Sequence, residues 1–363
     1  MTIRLLHTAD LHLDRPLLYL GDQRKTRRQE LLGTVTKLVD LALALSVDAV
    51  LICGDLFDGT RADSAPWVRI EFERLAIQDI YVLIVPGNHD PLPACQAYTY
   101  GWPDNVHVFQ AGGWSTFDRI PGVTFYGLPF QAQNQGERVL QGFKRAECPG
   151  WHVGLLHGQV RLASIQAEDY QPVTAEDIAG CGLDYLALGH YHRFLDCTRG
   201  STRAYYPGSP HRLDFTPGIS PQVLLVTLDA TTSIQVEPVP LPDRPFLAWE
   251  FNVAQPENIY RQLRLSQDPR ACARLKLVGQ TEASVASLVA DLREKFQSAY
   301  FSLVIEDQTQ MAITDGDSAS TIIGVFKRRI EERLAKCSDE AERRRLQLAY
   351  YYGLAALRGE KLP

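Results

Sequence analysis

Short apolar runs alternate with helical segments along the first half of the sequence, and this alternation constrains the fold more than any other feature. Residues 3–8, 48–53 and 80–85 are β-rich runs, and the segments Arg24–Leu45 and Pro66–Ala76 between them carry apolar residues at helical spacing. Strands that alternate with helices indicate a parallel sheet. The same kind of pattern continues, and it predicts strands near 123–127, 152–156, 184–188 and 223–228 and a helix at 174–180. We therefore predict one layered α/β domain over residues 1–240.

A proline-dense stretch, Pro238–Pro245, marks the predicted end of this domain. Proline cannot donate to a sheet ladder, and it stiffens linkers. The residues that follow predict a small α/β domain over 245–306, with strands at 246–253, 273–278 and 300–305 and helices at 256–265 and 281–297.

The last part of the chain predicts a linker and two helices. Residues 307–320 are polar and lack an apolar period, whereas residues 321–336 and 339–358 each carry an apolar stripe at helical spacing, with Ser338 or Asp339 as the N-cap of the second helix. The stripes must be buried either on this chain or on a partner, and the sequence leaves both open.

Composition limits the environment and the partners of the chain. Hydrophobic residues make up 45% of 363 residues, and no stretch resembles a membrane span or a signal peptide, which predicts a soluble cytoplasmic protein without membrane attachment. The seven cysteines are scattered singly, as expected of reduced thiols. The net charge of −6 does not indicate a general nucleic-acid binder, so any polyanion must be held locally.

Most of the chemically informative His, Asp and Asn residues fall in five short clusters, each at a predicted strand-to-loop junction. In chain order they are Asp10-Leu11-His12, Gly54-Asp55-Leu56-Phe57-Asp58, Gly87-Asn88-His89-Asp90, His157-Gly158 and Gly189-His190-Tyr191-His192. Ligands of open α/β sheets bind beyond the carboxyl ends of strands, so we expect these clusters to share one crevice. Carboxylate, imidazole and amide groups together favour Mn, Fe or Zn over Mg or Ca.

This ordered series, D-x-H, GDxxD, GNHD, H and GHxH, resembles the calcineurin-like metallophosphoesterase superfamily from residue 3 to about residue 228. The resemblance implies a layered β-sandwich flanked by helices, followed here by the small α/β capping domain and the C-terminal helices. It also implies two divalent metal ions, with Mn²⁺ expected, that activate a water for in-line attack on a phosphoester.

The resemblance assigns a role to each clustered residue. It implies that Asp10, His12 and His192 hold the first metal, that Asn88, His157 and His190 hold the second, and that Asp55 bridges the two. His89 would protonate the leaving oxygen or stabilise developing charge. We expect His89 and Asp90 to be the catalytic residues, with Asp90 and Asp58 orienting imidazoles or capping turns.

Details of the motifs narrow the subclass. Protein phosphatases of the superfamily carry arginine directly after the second aspartate of GDxxD, whereas Gly59 stands here. The segments His7–Leu13, Gly54–Asp58 and Tyr206–Pro210 resemble SbcD-type DNA repair exonucleases. That likeness implies a DNA exonuclease or endonuclease in DNA repair, working with an SMC-like ABC ATPase docked on the C-terminal helices.

Several alternatives stay open at this stage. A small-molecule phosphodiesterase for cyclic or dinucleotide substrates is the second enzymatic hypothesis, and a binding adaptor is a third. A homodimer is also left open. If the substrate is DNA, we expect four arginines near the first and last motifs to contact its backbone: Arg24, Arg28, Arg193 and Arg212.

Overall fold

The computed structural model describes residues 2–92, 94–99, 101–131, 136–161, 170–231, 233–281, 284–311 and 321–358. The chain divides into two compact units, Met1–Arg244 and Pro245–Pro363. Among the described residues, no helix is long and apolar enough to cross a membrane.

Twelve strands and three α-helices build the described part of the first unit. The strands are β1 (Thr2–Thr8), β2 (Ala49–Cys53), β3 (Tyr81–Val85), β4 (Val106–Val108), β5 (Ser115–Phe117), β6 (Val123–Leu128), β7 (Trp151–His157), β8 (Tyr185–Gly189), β9 (Leu195–Asp196), β10 (Arg203–Tyr206), β11 (Gln222–Asp229) and β12 (Ser233–Pro240). The helices are α1 (Arg24–Leu45), α2 (Ala65–Ala76) and α3 (Ala175–Gly180). Short 3₁₀ turns occupy Leu18–Gln23 and Gln96–Thr99.

The strands form two six-stranded sheets, in the orders β12-β11-β1-β2-β3-β4 and β5-β6-β7-β8-β10-β9. β2 is buried along its whole length, which explains why it is an uninterrupted apolar run: a central parallel strand is covered on both faces. One core fills the space between the sheets, with Leu51, Leu83, Phe125 and Leu155 among its members. The predicted α/β sandwich flanked by helices is confirmed.

The outermost strand of the first sheet contains prolines. β12 pairs antiparallel with β11 through Pro240, with Pro238 opposite Leu224 and Pro240 opposite Gln222. An edge strand tolerates proline because one side of its backbone needs no ladder hydrogen bond. The proline-dense stretch therefore begins inside the sheet, and the division between the units falls after Arg244.

The second unit contains the small α/β domain and the last two helices. Its elements are β13 (Phe246–Asn252), α4 (Pro256–Leu265), β14 (Asp268–Val278), β15 (Gln280–Thr281), α5 (Ala286–Phe296), β16 (Tyr300–Asp307), β17 (Gln310–Met311), α6 (Ile322–Lys336) and α7 (Glu340–Arg358). β13, β14 and β16 form a parallel sheet with its own apolar core, and β15 pairs with β17. β17 lies within the predicted linker, of which residues 312–320 lie outside the described residues.

The helices α6 and α7 pack on one another through a close aromatic contact. The ring of Phe326 stacks on that of Tyr350 with centroids 6.2 Å apart, and Gly353 lies so close to Phe326 that a Cβ there would be 2.2 Å from the ring. The carboxylate of Asp339 accepts the backbone N–H of Glu342 at 3.1 Å and thus caps the start of α7.

Candidate metal centre

The side chains singled out in the sequence lie at the carboxyl ends of five strands drawn from both sheets. Asp10 follows β1, Asp55 follows β2, Asn88 follows β3, His157 ends β7 and His190 follows β8. β1, β2 and β3 run parallel in one sheet, as do β7 and β8 in the other. Side chains from the loops of both sheets meet in one pocket.

The loops that carry these residues have an unusual backbone. Asp10, His12, Asp55 and His190 all have positive φ angles, of 56°, 46°, 51° and 107°. Such conformations are uncommon for residues with a side chain and persist only where the surroundings enforce them. Strained backbone of this kind clusters at binding and active sites.

Two glycines make room for the ligand side chains. A Cβ on Gly54 would lie 2.0 Å from Nδ1 of His157, and one on Gly87 would lie 2.2 Å from Oδ1 of Asp55. Gly54 also has a φ of 86°, which other residues rarely adopt. The glycines of the GDxxD and GNHD motifs are therefore required by close approach to the pocket.

One half of the pocket is formed by Asp10, His12 and His192. A ligand atom from each lies within 4.8 Å of the others, and Asp10 and His12 are buried. The Nε2 atoms of His12 and His192 are 3.1 Å apart. Two nitrogens bound to one metal at about 2.1 Å each come roughly 3 Å apart, so this spacing suits a shared cation.

The other half of the pocket is formed by Asn88, His157 and His190. Oδ1 of Asn88 lies 2.8 Å from Nε2 of His157 and 3.3 Å from Nδ1 of His190. Nδ1 of His157 lies 2.9 Å from the carbonyl oxygen of Cys53, which can only accept. In a neutral ring Nε2 is then an acceptor as well, facing the acceptor oxygen of Asn88. A metal ion between these two atoms would accept a lone pair from each, so the contact suits a shared cation.

Asp55 lies between the two halves. Its Oδ2 is 3.5 Å from Nε2 of His12 and 3.5 Å from Nε2 of His157, and its Oδ1 accepts the backbone N–H of His89 at 2.9 Å. A carboxylate has lone pairs enough to serve two cations at once. The position is the one expected of a bridging ligand.

The protonation states suit metal ligation. Burial lowers the pKa of His190 and of His192 to about 3, so both rings are neutral at neutral pH, which is the form in which imidazole binds a metal. Burial, followed by the charge of Asp55, raises the pKa of Asp10. Burial opposes ionisation of Asp55 too, but His157, His12 and His89 overcome it and lower its pKa. The donor set fits divalent transition metals.

His89 lies at the open side of the pocket, with 46% of its side chain exposed. Its Nδ1 is 2.8 Å from Oδ1 of Asp58, which is also 3.1 Å from Nδ1 of His12. The hydrogen bond to Asp58 is the main reason that the pKa of His89 is raised. Asp58 thus orients one metal-ligand candidate and the candidate acid together.

Asp90 lies behind the loops and is fully buried. Its carboxylate accepts the backbone N–H groups of Phe57 and Gly87 at 3.1 and 2.7 Å and the hydroxyl of Tyr98 at 2.6 Å. Asp90 therefore joins the GDxxD and GNHD loops, while Asp58 is the carboxylate that contacts His89.

The four arginines expected at a substrate surface lie in different settings. Arg24 and Arg28 line a groove of about 360 Å³ beside the start of α1, where Arg28 pairs with Asp14 at 3.2 Å. Arg193 and Arg212 are half-buried, and the backbone N–H of Arg212 donates to Asp243 at 2.7 Å. The neighbouring Arg27, in the same basic run, is buried and forms ion pairs with Glu30 and Asp243. These carboxylates neutralise its charge within the unit.

Three further residues near the pocket have no role assigned from the sequence. Arg15 follows the first motif and approaches Asp214. The ring of Tyr170 lies 5.1 Å from that of His190. His211, which matches no ligand position in the motifs, is buried and contacts the carbonyl oxygen of Leu11 at 2.6 Å. The first could have been suspected from its spacing to His12, whereas the other two depend on contacts across long stretches of chain.

Comparison with known proteins agrees with this geometry. Residues 3–194 match the calcineurin-like phosphoesterase family. The uncharacterized metallophosphoesterase YhaO of Bacillus subtilis is 32% identical over 56% of this chain and 52% of its own length. The DNA double-strand break repair protein Mre11 of Methanopyrus kandleri is 27% identical over 59% and 50%. The SbcD subunit of the nuclease SbcCD of Rhodobacter capsulatus is 32% identical over 54% and 49%.

The matched region covers all five ligand-bearing loops, from Asp10 to His192, and more than half of the chain. The chain spans about half the length of these curated relatives. The chain belongs to the calcineurin-like phosphoesterase family.

Proposed function

We propose that this chain is a phosphodiesterase with two divalent metal ions, in the first instance Mn²⁺, that cleaves DNA. The observation that carries the proposal is the position of Asp55, whose Oδ2 lies 3.5 Å from an imidazole nitrogen in each half of the pocket. Asp10, His12 and His192 would hold one ion, Asn88, His157 and His190 the other, and Asp55 both. When bound, the pair of ions supplies an activated water and neutralises charge on the phosphoryl group.

The protein groups around the pocket complete the chemistry. His89 is half exposed, and the hydrogen bond to Asp58 at 2.8 Å raises its pKa and so favours the protonated ring, which could protonate the leaving oxygen of the substrate. Asp58 positions His89 and His12 at once. Asp90 is assigned a positioning role, because its bonds hold the two loops that present Asp55 and His89.

DNA as the substrate is supported by the names of two relatives and by a groove lined with basic side chains. Two of the matched proteins carry names that describe DNA break repair and nuclease function. The groove beside α1 presents Arg24, Lys25 and Arg28, which can contact backbone phosphates. Arg193 and Arg212 are proposed to extend this surface.

An SMC-like ABC ATPase is proposed as a partner in DNA repair, in the cytoplasm. In the α6–α7 pair, Tyr350 and Leu354 are buried, whereas Leu348 and Tyr352, on the opposite side of α7, are exposed. Exposed apolar side chains on a helix that is already packed on its other side mark a surface for a partner helix.

A substrate panel with Mn²⁺ tests the proposal. The panel measures hydrolysis by the natural chain, by Asp55→Asn and by the exposed control Asp118→Asn. The substrates are linear duplex DNA, single-stranded DNA, cyclic nucleotides and a phosphoprotein. We expect DNA to be degraded by the natural chain and the control alone. Hydrolysis of cyclic or dinucleotide substrates without any DNA cleavage would support the small-molecule alternative. A chain that binds no Mn²⁺ when Mn²⁺ is supplied and hydrolyses none of the substrates would support an adaptor.

A further inference from the structure

Arg15 is a cation near the pocket that the roles above do not use. It follows His12 by three residues, and its backbone N–H donates to the carbonyl oxygen of His12 at 3.3 Å. Its guanidinium is 3.9 Å from the carboxylate of Asp214, beyond normal hydrogen-bond distance. The two side chains are 31% and 41% exposed. Such a pair is weak in water and can exchange partners when an anion arrives.

The backbone under this pair is firmly held from two directions. Asp14, next to Arg15, accepts hydrogen bonds from the hydroxyl and backbone N–H of Ser64. His211 contacts the carbonyl oxygen of Leu11, and the hydroxyl of Tyr19 donates to the carbonyl oxygen of Leu213 at 2.7 Å. The loop after β1 and the segment before Asp214 are therefore joined on both sides of the pair, and only the side chains are free to move.

The charge of Arg15 acts on the open side of the pocket. Burial lowers the pKa of His192 to about 3, and the charges of His12 and Arg15 add to this effect. The hydrogen bond to Asp58 raises the pKa of His89, and Arg15 opposes the rise. A phosphate bound in the pocket would add negative charge on this side, and Coulomb attraction would draw the guanidinium toward it and away from Asp214.

We propose that Arg15 binds a non-bridging oxygen of the scissile phosphate, and that Asp214 holds its guanidinium until substrate or product enters. The inference rests on the proposed phosphodiesterase function. Guanidinium groups pair with phosphate through two parallel hydrogen bonds, which also orient the phosphoryl group. Asp214 is itself fixed by the backbone N–H of Thr216 at 2.8 Å, so it competes for Arg15 from a constant position.

The test compares Arg15→Met, Arg15→Lys and Asp214→Asn, with Arg270→Met as a matched exposed control in the second unit. Hydrolysis of bis(4-nitrophenyl) phosphate and binding of orthophosphate to Mn²⁺-loaded protein by calorimetry are the readouts. We expect Arg15→Met to lower kcat/KM and to weaken orthophosphate binding by about 10- to 100-fold each, as loss of a charged hydrogen bond does. Arg15→Lys should recover part of both, and Asp214→Asn should tighten orthophosphate binding.

Separate outcomes identify which idea fails. Unchanged hydrolysis and orthophosphate binding in Arg15→Met would overturn the role of Arg15, as would an effect limited to oligonucleotides, which would place the contact at a flanking phosphate. Loss of bound Mn²⁺ in Arg15→Met would show a structural role instead. If the natural chain hydrolyses no phosphodiester, the proposed function fails by itself, while the orthophosphate measurement still decides whether Arg15 binds phosphate.

Discussion

The loops of the metal pocket and the α6–α7 pair differ in where their side chains find partners. In the pocket, Asp55 and His157 are buried, and their donor and acceptor atoms converge on one another from separate strands. In the helix pair, Tyr350 is buried against Phe326, while Tyr352 and Leu348 on the same helix are exposed. The pocket is assembled by the fold of one unit, and the helix pair leaves two large apolar side chains about half exposed.

The two regions point to different kinds of ligand. The pocket has positive φ angles and close contacts between ligand atoms, costs that the proposed cations would offset. The helix pair has exposed apolar side chains, a cost that the proposed protein partner would remove. Changes in the pocket should thus affect chemistry, and changes on the exposed helix side should affect association alone.

Asp55→Asn should have the largest effect. Replacing one oxygen of the shared carboxylate by a neutral amide removes the charge between the two halves of the pocket. We expect hydrolysis to fall on the order of 10³-fold or more, as for single catalytic groups in other hydrolases, with an unchanged circular dichroism spectrum. Full activity in this variant, with Asp118→Asn as the reference, would break the assignment of Asp55.

Asp58→Asn should have a smaller effect with a distinct pH signature. Asp58 is the main cause of the raised pKa of His89, so the protonated ring persists to higher pH in the natural chain. Activity that needs this proton falls as pH rises through that pKa, and in the variant the fall should begin at lower pH. We expect a loss of about 10- to 100-fold at neutral pH. An identical pH–rate profile would argue against His89 as the acid.

Gly54→Ala should act on stability as well as chemistry. Its Cβ would lie 2.0 Å from Nδ1 of His157, at a φ angle of 86° that alanine rarely adopts. We expect the free energy of unfolding to fall by about 1–3 kcal/mol and bound Mn²⁺ to be lost, measured by chemical denaturation and metal analysis. Gly136→Ala, with open space around its Cβ, is the control.

The smallest effects are expected on the exposed side of α7. Leu348→Ser and Tyr352→Ser should change the free energy of unfolding by no more than about 0.5 kcal/mol and leave hydrolysis intact, because both side chains are exposed. Binding to the proposed partner ATPase, measured by co-purification, should be lost. Tyr350→Ser removes a buried ring and should destabilise the unit, so a Tyr352→Ser variant that unfolds as readily would contradict the comparison.

Much of the fold and of the pocket could be predicted from the sequence, because apolar periodicity indicates helices and strands and the pocket lies where strands end. α1 spans Arg24–Leu45 as predicted, and its buried apolar residues recur at helical spacing from Leu31 to Ala42. The pocket residues were predictable because they lie directly after strands, where position along the chain determines position in space. The strand through Pro240 was not predicted, since only the edge position of β12 makes proline acceptable there.

Contacts between distant segments were beyond the sequence signal. Arg27 looks like its exposed neighbours in the basic run of α1, and its burial depends on Asp243, more than two hundred residues away. The approach of Asp214 to Arg15 and of Tyr170 to His190 has the same origin. No local periodicity or motif in the sequence predicts which loops the two sheets bring into contact.

The most direct measurement is anomalous diffraction from crystals grown with Mn²⁺, recorded near the manganese absorption edge. We predict two peaks, one on each side of the Asp55 carboxylate, with Asp10, His12 and His192 around the first and Asn88, His157 and His190 around the second. A pocket without manganese, or a single ion that Asp55 does not touch, would contradict the shared-carboxylate centre.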